Sequence, residues 1–103
     1  MSAVAVKWSN VELHGFWFVT NFLREEGLDD FGVKAVMDDL NMQYEKYRKT
    51  QTGRNDFGPD FKFDTEYKPY IGRIQMIDPV TKHCFGETHV CFEDNGGVSI
   101  LPF

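Results

Sequence analysis

Long apolar runs are missing from this sequence. No stretch approaches the ~20 consecutive apolar residues that span a bilayer, which argues against a helical membrane anchor. Met1 to Lys7 lacks the basic region and long apolar core of a secretion signal, so a soluble cytoplasmic protein is expected. Cysteine is scarce. The two present, Cys84 and Cys91, fall on one expected strand and stand roughly 23 Å apart at ~3.3 Å per residue, beyond disulfide reach. They are read as free thiols. Basic residues are outnumbered, with 11 Lys and Arg against 16 Asp and Glu and a formal net charge of -5. Nucleic-acid affinity comes mostly from clustered cations that displace counterions, so no direct nucleic-acid partner is expected. Also missing are a nucleophile elbow, a phosphate-cradling glycine loop and a zinc-protease helix. With no repeat, low-complexity tract or flexible linker, residues 1–103 read as a single domain.

What is present is a strong period of two. From Phe61 onward, Phe61, Phe63, Thr65 and Tyr67 alternate with Lys62, Asp64, Glu66 and Lys68. Ile74 and Met76, then Thr88, Val90 and Phe92, then Val98 and Ile100 continue the pattern. Asp78-Pro-Val-Thr-Lys82 and Asp94-Asn-Gly-Gly97 supply the turns of a meander. Val4, Val6 and Trp8 alternate as well and predict a short edge strand.

Two helices are predicted ahead of the meander. Ser9 and Glu12 match a capping box, which starts helix one at Asn10, and Gly27 stops it near residue 26. Its apolar residues spread over three arcs of the wheel, so the helix is read as buried between sheet and neighbour; the other reading leaves aromatic surface free. Asp29 or Asp30 caps helix two, where Val33, Val36, Met37, Leu40, Tyr44 and Tyr47 form one stripe. The expected fold is α+β, with two N-terminal helices packed on one face of a four- or five-stranded antiparallel meander.

For function, the leading expectation is a small non-catalytic protein that docks on a protein or protein–nucleic-acid complex, an accessory or inhibitory factor of the sort phages and mobile elements encode. Its anchors are expected in the Thr50–Asp60 loop and the end of helix two: Arg54 and Phe57, with Lys46, Arg48 and Lys49 around them. Phe57 is singled out because neither the helical stripe nor the strand alternation claims it. A second candidate surface is acidic, with Asp29, Asp30, Asp38 and Asp39 about the inter-helix turn. The alternative is a small enzyme or ligand-binding domain using Glu87, His89 and Cys91, which share one sheet face. A homodimer through helix one is a third reading. His83, Cys84, His89 and Cys91 are zinc-ligand types, but a continuous strand spreads them too far to share one ion, so neither metal nor cofactor is expected.

Overall fold

The computed structural model describes residues 11–54, 58–68, 71–92 and 98–101. Strand β1 spans Val11–His14, helices α1 and α2 span Phe16–Glu25 and Asp30–Lys49, and strands β2 to β5 span Asp60–Lys68, Ile71–Ile77, Cys84–Phe92 and Val98–Leu101. The five strands form one antiparallel sheet in the order β1-β2-β3-β4-β5, with both helices inserted between β1 and β2.

The expected start of helix one is corrected here. Val11–His14 is an edge strand paired with β2, so Glu12 lies opposite Lys62 in the sheet and not in the first turn of a helix, while Ser9 lies outside the described residues. The physical reason is the alternation of Val11 and Leu13 with Glu12 and His14, which β2 captures by pairing, and Gly15 at φ 85° then turns the chain into α1. Gly15 N–H donates to Pro59 O, tying that turn to the start of β2. The strand expected at Val4–Trp8 lies outside the described residues, as does the turn at Asp94–Gly97.

The expected end of the first helix and the cap and stripe of the second stand. Gly27 ends α1 at φ 100°, and the Asp29 carboxylate caps α2 by accepting from Gly32 N–H at 2.7 Å. Val33, Val36, Leu40 and Tyr44 of α2 are buried as one stripe. They meet Phe61, Phe63, Ile74, Met76 and Val90 from the sheet, with Val19 and Leu23 of α1 completing the core. Helix α2 lies against β4 and β5, while α1 packs on β1 and α2. Phe16 joins the layers edge-on, with its ring 5.2 Å from both Tyr44 and Phe61.

One contact fixes how closely α2 approaches the sheet. Gln43 donates to Asp39 and Thr88, while its carbonyl oxygen accepts from Glu87 N–H at 2.8 Å. Thr88 in turn donates to Asp39 at 2.6 Å. Beside this network sits Gly86, next to a bulge in β4. A Cβ there would lie 2.7 Å from Met76 Cε and 2.8 Å from Gln43 Oε1. Met76 has a flexible end that can swing away, but Gln43 is held by its hydrogen bonds. Gly86→Ala is therefore expected to lower stability by about 1–3 kcal/mol in a urea titration; an unchanged midpoint would mean that α2 yields without loss.

Candidate functional site

The sequence placed Arg54, Phe57, Lys46, Arg48 and Lys49 together at the end of α2. Lys46 and Lys49 are exposed there, and Arg48 lies 3.7 Å from Glu45 on its own helix. Arg54 points elsewhere. Its two terminal guanidinium nitrogens both donate to the carboxylate of Asp78, 24 residues away at the β3–β4 turn. Phe57 lies outside the described residues.

Asp78 is fully buried and accepts three further hydrogen bonds: from Tyr47 Oη at 2.9 Å, Val80 N–H at 2.9 Å and Thr81 N–H at 3.3 Å. The Arg54 guanidinium, aided by these donors against the effect of burial, holds the carboxyl well below the usual carboxylate range. Burial and the Asp78 carboxylate push the Tyr47 phenol up, and Asp78 raises Arg54. The Tyr47 ring stacks on Phe85 at 4.2 Å. Arg54 thus fastens the segment after α2 to the hairpin, and its charge is satisfied inside the fold.

The acidic set is engaged in the same manner. Asp29 caps α2, Asp30 pairs with Arg24 at 2.8 Å, Asp38 pairs with Lys34 at 2.7 Å, and Asp39 belongs to the Gln43–Thr88 network. The pairs at Asp30 and Asp38 are solvent-exposed and weak, so both carboxylates stay open to a cationic partner.

On the helix-free face of the sheet, the Glu87 carboxylate accepts from Gln75 at 3.0 Å and meets His89 Nε2 at 2.8 Å. Cys91 lies opposite Ile71 and Ser99. Glu87, His89 and Cys91 do share this face, yet the contact that forms joins imidazole to carboxylate. Among the described residues, no group of three or more His, Cys, Asp or Glu side chains is placed to hold a metal ion. Treatment with a strong chelator is expected to leave the thermal midpoint unchanged; a large fall accompanied by stoichiometric zinc release would establish a structural ion.

What the sequence reading placed wrongly is the outer arc of α1. Trp17 is 70% and Phe18 53% exposed, so the helix is not buried all round. Val19 and Leu23 face the core and Phe22 packs on Phe63 at 4.9 Å, and the arc that carries Trp17 and Phe18 lies outside these contacts. Trp17 and Phe18 meet edge-to-face at 5.1 Å, forming a two-ring projection. Arg24, two helical turns past Trp17, pairs with Asp30, and next to Asp30 stands Phe31, 87% exposed.

Fold and surface together define a two-layer α+β protein with an aromatic helix face. The chain matches no protein-family model, and no curated protein or solved structure matches it. No helix among the described residues is long and apolar enough to cross a membrane.

Proposed function

We propose that this protein is a non-catalytic docking protein, an accessory or inhibitory factor that seats Trp17 and Phe18 in an apolar pocket of a larger protein with a basic rim. The observation that carries this reading is the exposure of two adjoining large aromatic rings on the outward arc of α1, while the same helix buries Val19 and Leu23. Trp and Tyr, with Arg, dominate the binding energy of protein interfaces, and rings already propped against each other lose little freedom on docking. The basic rim follows from charge. The chain carries a net -5, and Glu25, Asp29 and Asp30 are exposed at the turn from α1 into α2, with Asp38 exposed two turns further along α2.

This reading needs no cofactor and no titrating centre. The partner is a protein, alone or within a protein–nucleic-acid complex; in a complex, Lys46 and Lys49 would face its acidic part. The test compares wild type with the Trp17→Ala/Phe18→Ala variant as immobilised baits for the same native extract. A partner retained by wild type and lost by the variant supports the reading, whereas equal retention places the interface elsewhere.

A further inference from the structure

Away from α1, the helix-free face of the sheet carries a cleft of about 260 Å³ lined by Glu12, Asp60, Phe61, Lys62, Ile77 and Lys82. Its size falls below the ~300–1,000 Å³ of sites for drug-sized ligands, which suits a molecule of amino-acid size. Residues of both charge signs line it. Asp60 is held by His14 Nδ1 at 2.6 Å, whereas Glu12, Lys62 and Lys82 form no ion pair among the described residues, even though Glu12 and Lys62 are register neighbours.

Lys82 adds an independent sign. It occupies the last position of the β3–β4 turn at φ 65°, the single described non-glycine residue with positive φ. The turn requires that backbone, since Lys82 N–H donates to Asp78 O while Asp78 N–H donates to His83 O. Glycine or asparagine satisfies such a position with less strain. A lysine held there against its backbone preference brings a cation to the cleft, and strain of this kind concentrates at binding sites.

We propose that the cleft binds a free α-amino acid with an apolar side chain. Lys62 and Lys82 take the carboxylate, Glu12 and Asp60 take the ammonium group, and the side chain lies against Ile77. The test is a titration followed by amide chemical shifts, using L-leucine, N-acetyl-L-leucine and L-leucinamide as probes. L-leucine is expected to saturate with shifts centred on Glu12, Lys62 and Lys82, and each analogue, lacking one charge, to bind about tenfold or more weakly. Lys82→Gly is expected to weaken L-leucine binding by about tenfold while raising the thermal midpoint by roughly 2–4 °C, because strain is relieved as the ligand contact is lost. Lys62→Met should give the same loss with no change in midpoint. The proposal is overturned by absence of saturable binding at millimolar L-leucine, by analogues binding as well as the amino acid, or by Lys82→Gly binding normally.

Discussion

Asp78→Ala is expected to bring this domain close to unfolding at room temperature. The carboxylate joins three parts of the chain: Tyr47 on α2, Arg54 in the segment after it, and Val80 and Thr81 in the β3–β4 turn. Removing it leaves the Arg54 guanidinium without its counter-ion and strips two backbone N–H groups of their acceptor. Breaking one side of a buried ion pair costs about 3–5 kcal/mol, against a total stability of about 5–15 kcal/mol for a domain of ordinary size. In a chain of this length the thermal midpoint should fall by roughly 15–30 °C in calorimetry. A fall of only a few degrees would mean that the cluster decorates the fold without holding it.

The same cluster sets the acid response. Because folding lowers the Asp78 pKa, its stabilisation is present above the unfolded carboxylate value of ~3.9 and is lost as pH falls below it towards the folded value. Wild type should therefore lose stability steeply in acid, and Asp78→Asn, less stable at neutral pH, should show a flatter curve there. At the alkaline end the raised Tyr47 pKa works in the opposite sense. Its contribution is present below the unfolded phenol value of ~10 and is lost as pH rises through the folded value.

Trp17→Ala/Phe18→Ala is expected to weaken partner binding by more than ~2 kcal/mol, about thirtyfold, with no loss of stability. Both rings face solvent, so their removal opens no cavity. Alanine is also the better helix former, and the thermal midpoint should hold or rise slightly. That pairing of outcomes is diagnostic. Were the rings part of the core, the variant would melt early and bind normally once folded. If they instead met the same rings of a second copy, wild type would sediment as a dimer and its midpoint would rise with concentration, while the variant would be a monomer.

Much of the scaffold could be read from residue patterns. The stripe from Val33 to Tyr44, the Asp29 cap, the Gly27 stop and the alternation through Phe61, Phe63, Ile74, Met76, Thr88 and Val90 are local signals, and each corresponds to an observed element. Val11–His14 was misread because Glu12 belongs to two patterns at once, the Ser9–Glu12 capping box and the two-residue alternation from Val11 to His14. Only the partner strand decides between them. The site was less legible. Arg54 looks like an unclaimed cation until Asp78 is brought beside it from 24 residues away, a pairing that composition and periodicity do not encode. Asp78 itself was visible only as a turn residue. The exposure of Trp17 and Phe18 was hidden because a helix with apolar residues on three arcs does not reveal which arc the sheet will cover. The answer depends on where Gly15 starts the helix and on how Phe16 inserts between Tyr44 and Phe61.

The most direct test of docking through α1 is a photo-crosslinking amino acid placed at position 18, with a second placement at position 87 on the opposite sheet face, each irradiated in native extract. The account predicts one covalent adduct with a protein larger than this 12.0 kDa chain from position 18, and none from position 87. An adduct confined to position 87, or an adduct at position 18 consisting of two copies of this chain, would contradict it.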